Sequence, residues 1–357
     1  MPSIARVLAA LLPVTLAGAG CGHSDPFVAV GLDDRPTGFA ILPEQLTFNE
    51  RADLHPQWSP SGDLLLYAFE RWLPLAEYPD RCLGALPRDG GARVLEWCWQ
   101  SLDEGLHRDG IEAGTLLSDG RLVFTHHAGA GVKQPIPVTA SLYLADTAAI
   151  TGAQRQFELL RRPDGASERY DFLHGLVPTA DERAVTALAV SAIIDAPCPV
   201  CDFDTTYVGV DLVRIPLDAS GAVEVIAPLP AARFLGWDRA LGTFFFARHG
   251  RVESIAATGG APALIWQAPR SPDRERVTIT GLGVGARRMA VSWSWEERGA
   301  HHSVVGLLGE DGEVAVLDHQ VDGARWGELA LSPDGTRLVA ERQDPGTPPN
   351  LYLFRLP

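Results

Sequence analysis

The chain has 357 residues, 46% of them hydrophobic and 21% charged, and a formal net charge of −15. That composition excludes a chain disordered throughout, and a surface this acidic repels phosphate backbones and excludes nucleic acid as the natural partner. The 36 glycines and 27 prolines are spread along the whole length, as expected of many short strands joined by turns.

Residues 1–20 read as a secretory signal peptide. Arg6 supplies the positive charge, Val7–Leu16 the apolar run, and Ala17, Gly18, Ala19 and Gly20 the small residues of a cleavage site. The apolar run is too short to span a bilayer, and Pro13 weakens it as a helix. Gly18-Ala19-Gly20-Cys21 resembles a bacterial lipobox, with Gly18 where leucine is usual. That resemblance implies an acylated Cys21 as the new N-terminus and stable anchoring through its acyl chains. With Gly22 following, it also implies the outer membrane facing the periplasm, or else the cell surface. In the alternative reading, cleavage happens nearby and Cys21 is incidental. Residues 21–37 are short, polar and rich in Gly, Asp and Pro, and read as a flexible tether.

Residues 38–357 carry an internal repeat. His55-Pro56-Gln57-Trp58-Ser59-Pro60-Ser61-Gly62 leads into the apolar run Leu64–Tyr67, and Gly327–Leu331 leads through Ser332-Pro333-Asp334-Gly335 into Leu338–Ala340. Each is a strand, a tight turn and a second strand. Pro pre-sets φ, Ser or Asp bonds its own backbone, and Gly accepts positive φ. Fainter copies include Leu117-Ser118-Asp119-Gly120, Thr179–Val185, Gly236–Phe246 and Gly283–Val291. Turns are then expected near 62, 120, 182, 240, 286 and 335, a spacing that suits propeller blades.

These segments resemble the repeat of TolB-like β-propellers, closely at the two ends and weakly between. The resemblance implies an all-β fold: a six-bladed β-propeller of four-stranded antiparallel blades. Ser141–Asp146 and Asn350–Leu356 read as third strands of their blades. The chain stops at Pro357, so a segment within residues 38–48 is expected to complete the last blade and close the ring, removing an exposed edge.

Four cysteines follow Cys21. Cys82 and Cys98 flank a turn around Asp89 and Gly90, which places them opposite each other on antiparallel strands, close enough for a disulfide. Cys198-Pro199-Val200-Cys201 is a single C-x-x-C, expected in a loop between the second and third strands of the third blade. A structural staple is the favoured reading, with a redox switch or a metal site as the others.

No nucleophile elbow, phosphate loop or zinc-protease motif is present. His126-His127 and His301-His302 are expected in loops as ordinary polar residues, since neighbours on a strand point to opposite faces. The tryptophans, Trp293 and Trp295 among them, are expected to fill the wedges between blades. No catalytic residue, cofactor or metal is assigned. The resemblance implies a monomeric, non-catalytic platform for a protein or peptide partner in the cell envelope, with the membrane reached through the lipid alone. The alternative is a propeller lyase or hydrolase acting on carbohydrate or peptide at the channel mouth. Convergence of His55, His107, His174 and His249 on one mouth would favour it.

Overall fold

The computed structural model describes residues 41–72, 80–98, 109–128, 139–146, 172–195, 204–218 and 223–357. In chain order the strands are β1 (Glu44–Gln45), β2 (Asp53–Trp58), β3 (Leu64–Arg71), β4 (Asp80–Pro87), β5 (Leu95–Cys98), β6 (Asp109–Leu116), β7 (Arg121–Ala128) and β8 (Thr139–Asp146). They continue as β9 (Phe172–Pro178), β10 (Ala184–Asp195), β11 (Asp204–Pro216), β12 (Glu224–Pro228), β13 (Arg233–Asp238), β14 (Thr243–Arg248), β15 (Arg251–Ala256) and β16 (Ala263–Gln267). The last are β17 (Arg274–Gly285), β18 (Arg288–Glu297), β19 (Ala300–Leu308), β20 (Val314–Val321), β21 (Arg325–Leu331), β22 (Arg337–Gln343) and β23 (Asn350–Arg355).

The fold is an all-β propeller of antiparallel four-stranded sheets. Four such sheets are β9–β12, β13–β16, β17–β20, and β21–β23 with β1. In the last of these β1 pairs with β23, Glu44 opposite Leu353, so its fourth strand comes from the N-terminal side. The first two repeats depart from the expected separate blades. β2–β5 and β6–β8 are joined into one seven-stranded sheet through a single parallel bridge, Arg81 to Gly110. Gly110 permits it: a Cβ there would lie 2.7 Å from the Arg81 backbone. A fourth strand for the second repeat would fall within residues 147–171, outside the described residues, as do the signal segment, the tether, Cys21, Cys198 and Cys201.

The core explains the arrangement. Successive residues of a strand face opposite sides of its sheet, and here both sides are apolar. Leu65 packs with Trp58, Ala330 and Val339, whereas its neighbour Leu66 packs with Leu83, Leu122 and Phe124. Phe245 joins Trp266, Trp293 and Trp295, and Phe246 joins Val190 and Leu212. Leu338 joins Ala290 and Trp326. Leu117, Val123 and Leu142 pack on Leu173 and Val185. Each apolar cluster among the described residues therefore fills the wedge between two successive repeats, and one lies between the last repeat and the first. The tryptophans act largely as the sequence suggests: Trp58, Trp97, Trp266, Trp293, Trp295 and Trp326 are buried.

The turns fall where the repeat places them, between the first and second strands of each unit. Ser59 accepts the Leu64 amide on its hydroxyl at 3.1 Å, and Gly62 donates back to the Ser59 carbonyl at 2.9 Å. Pro60 follows Ser59 in the same turn. Asp119 accepts the Arg121 amide at 3.0 Å, and Gly120 closes that turn on Leu117. The Ser332 hydroxyl donates to Asp334 at 2.6 Å and accepts the Arg337 amide at 2.9 Å. Gly335 donates to the Ser332 carbonyl at 2.8 Å. Asp334 also takes the Thr336 amide and pairs with Arg88 of the first repeat, which holds its carboxyl below the usual range, Ser332 contributing most. Pro333 packs against the Gly62 turn. The turns thus bond themselves and tie neighbouring repeats together.

Cys82 and Cys98 face each other on β4 and β5 and form a disulfide, with Cα atoms 4.3 Å apart. The two histidine pairs lie in strands rather than loops, because β7 and β19 run further than their apolar cores suggest. His126 is buried edge-on to Tyr143. No helix among the described residues is long and apolar enough to cross a membrane.

Candidate functional site

The innermost strands β2, β6, β9, β13, β17 and β21 touch in that order, and β21 touches β2. They line a cavity of about 1080 Å³. Each of them loses register with its second strand, between Leu54 and Gln57, Ile111 and Ala113, opposite Thr186 to Leu188, between Arg233 and Leu235, Glu275 and Thr278, and Trp326 and Leu329. Such bulges re-aim side chains. His55, Phe234 and Arg276 adopt left-handed φ values of 54°, 54° and 52° at them, a conformation costly for residues with a Cβ.

One bulge-built cluster stands out. His55 of β2, Glu328 of β21 and Glu341 of β22 bring one ligand atom each to within 4.8 Å of one another. His55 Nδ1 lies 2.9 Å from Glu328 Oε2. The His55 amide donates to Glu341 Oε1 at 2.5 Å, and the Glu328 amide faces Glu341 Oε2 at 3.4 Å. Glu341 is only 8% exposed. Burial, and next to it the Glu328 carboxylate, push its carboxyl upward; His55 and the two amides act against this.

The cluster is assembled by backbone on both sides. Glu341 sits on the second strand of its sheet and reaches the cavity past Gly327, where a Cβ would lie 2.8 Å from Glu341 Oε2. The Ser292 hydroxyl of the preceding repeat donates to the Gly327 carbonyl at 2.7 Å and pins the bulge. Nearby, Gln57 donates to the Leu176 carbonyl of the third repeat at 2.5 Å, and Trp58 Nε1 to Ala330 at 3.1 Å.

His174, Arg233, Phe234 and His249 line the same cavity. His174, Arg233 and His249 are exposed. Three of the four histidines singled out in the sequence therefore meet at one channel, and His107 lies outside the described residues. The disulfide cysteines and Asp119 do not line it. Glu328 and Glu341 were not foreseen. The repeat itself holds a signal for Glu328: aligning Ser59-Pro60 with Ser332-Pro333 places His55 and Glu328 at equivalent positions, 273 residues apart. Glu341 has no such signal.

No protein-family model matches the chain, and no curated protein matches it in sequence. Solved structures do. A gluconolactonase from Xanthomonas campestris superposes with a TM-score of 0.51 at 16% identity, over 91% of this chain and 99% of that one. A luciferin-regenerating enzyme gives 0.54 at 11% identity, over 88% and 95%. A protein of unknown function from Dyadobacter fermentans gives 0.53 at 13%, over 89% and 99%. At these identities the likeness is one of fold, and it places this chain among the β-propellers.

Proposed function

We propose that the chain is a closed, six-bladed, TolB-like propeller that acts as an enzyme on a small polar molecule in its channel, with His55, Glu328 and Glu341 as the reacting groups. Six innermost strands in cyclic contact and an apolar wedge between the last repeat and the first support the closed ring. The observation that carries the enzyme reading is the convergence of an imidazole and two carboxylates in a cavity that also holds His174, Arg233 and His249. A concave site with convergent polar groups, one of them perturbed by burial, is where acid–base or hydrolytic chemistry is expected. The substrate class is a carbohydrate, lactone or peptide, and the reaction is hydrolysis or elimination. Two of the structural neighbours bear enzyme names, and a sugar lactone is the natural first compound to assay. Turnover of lactones, oligosaccharides and short peptides by the full chain, against Glu328→Gln and Glu341→Gln, tests the reading. It requires activity that both variants abolish, and unaltered variants would remove it.

A second reading keeps the propeller as a platform for a protein or peptide partner in the cell envelope. It is favoured by β16, an outermost strand whose Leu264 and Ile265 are 58% and 42% exposed. Such an edge can accept an added strand. In either case we propose that the propeller is tethered by residues 21–37 to an acylated Cys21 in the outer membrane. In-cell crosslinking of the tagged protein separates the readings: a reproducible envelope partner supports the platform, and none leaves the channel as the functional site.

A further inference from the structure

We infer that His55, Glu328 and Glu341 together bind one divalent cation of the zinc or manganese(II) class at the bulges of the innermost strands β2 and β21. This rests on the reading of the channel as the site of chemistry, and it names the agent that the three side chains would present there.

The geometry fits. Two ligands on one metal at bond lengths near 2.0–2.2 Å stand roughly 3–4.4 Å apart. The three donor atoms already lie within 4.8 Å of one another, and His55 Nδ1 and Glu328 Oε2 within 2.9 Å. Shifts of well under an ångström would close them on a common ion. The chemistry fits as well. An imidazole with two carboxylates suits zinc or manganese, whereas calcium and magnesium prefer oxygen alone. A divalent ion between the two carboxylates, one of them buried, would offset their mutual repulsion. The donors are also held from behind: the His55 and Glu328 amides orient Glu341, and Ser292 fixes the Gly327 bulge. Outer contacts of this kind set ligand orientation in metal sites. The open cavity in front leaves the remaining coordination positions to water or substrate, as in catalytic rather than structural sites.

When the ion binds Nδ1, that nitrogen gives up any proton it shares with Glu328, and the neutral ring carries its proton on Nε2. A second histidine pair, His302 and His319, has ring nitrogens 3.0 Å apart on β19 and β20. It forms no group of three donors among the described residues, and it serves as the control for adventitious metal.

The test uses the full chain, stripped with a chelator and titrated with zinc chloride, manganese(II) chloride and calcium chloride. Calorimetry and thermal melting are the readouts. One equivalent of zinc or manganese should bind and raise the melting temperature, and calcium should not compete. Glu328→Gln, whose side chain is one third exposed, and His55→Gln should each weaken binding by at least about tenfold. His302→Gln should leave it unchanged. The inference is overturned if no saturable binding occurs, if calcium binds equally well, or if binding is lost in His302→Gln and kept in the triad variants. Metal bound without turnover of any substrate would leave the site standing and remove the enzyme reading. Turnover that survives chelation and is lost in Glu341→Gln would do the reverse.

Discussion

Glu341 Oε2 occupies the space that a Cβ on Gly327 would need, 2.8 Å from it. The acid at the centre of the cluster reaches the channel only because the inner strand is bare at that point. Gly327→Ala should therefore push Glu341 back, remove turnover and metal binding together, and cost about 1–3 kcal/mol of stability, as overpacking does. Paired activity and denaturation measurements check this. Wild-type turnover in the variant would show that Glu341 does not need that path.

Asp53 should make stability fall as pH rises. It is buried between the first and last repeats, where its amide donates to the Pro349 carbonyl and Asn49 donates to its carboxyl at 2.6 Å. Burial raises its pKa from 3.8 to about 6, against opposing contributions from Thr47, Asn49 and Arg93. The folded state thus holds the proton more tightly than the unfolded chain. The group is neutral and costs nothing below about pH 4, and its penalty grows through pH 6. Asp53→Asn should gain on wild type by up to about 3 kcal/mol between those limits. Urea melts at acidic and neutral pH would reveal a gap of constant size if Asp53 titrates normally.

The Cys82–Cys98 disulfide closes a short loop, with a sequence separation of 16. Chain-entropy arguments give a bridge of that span about 3 kcal/mol. The Cys82→Ala/Cys98→Ala variant, compared with wild type by chemical denaturation, should show a loss of that order with the fold retained.

Arg287 is held at φ 59°, next to Ala286 at 47°, in the tight turn between β17 and β18. Its amide donates to Asp238 at 3.1 Å, a bond that any residue except proline keeps. Arg287→Gly should relieve the left-handed penalty and stabilise the protein by up to about 1 kcal/mol. A lower melting temperature would mean that the exposed arginine contributes more than its backbone costs.

Cys21→Ser should abolish palmitate labelling and release the protein from membranes. Labelling that persists in the variant would place the acyl chain elsewhere, and wild-type protein that takes up no label would remove the anchor.

Much of the fold was legible in the chain. The turns expected near 62, 120, 182, 240, 286 and 335 all connect first and second strands, although Glu182, Ala286 and Arg287 stand where glycine would be easier. The completion of the last sheet from the N-terminal side, Glu44 and Gln45 on β23, followed from an unfinished repeat. The joining of the first two repeats was not legible, because it depends on how closely Gly110 approaches Arg81. The histidine pairs were misplaced for a simpler reason: strands end where hydrogen bonding ends, and apolar character fades earlier.

The sequence by itself determined the hairpins and their order, because turn chemistry acts over four residues and alternation over two. It also determined the disulfide, whose partners count outward from one turn. Only the tertiary structure decided the site. His55 and Glu328 meet because the first repeat packs against the last, and Glu341 joins them through a gap in a strand that is not its own. Those contacts depend on how the first and last repeats pack and on backbone approach, which for Glu341 leaves no local trace in the residues.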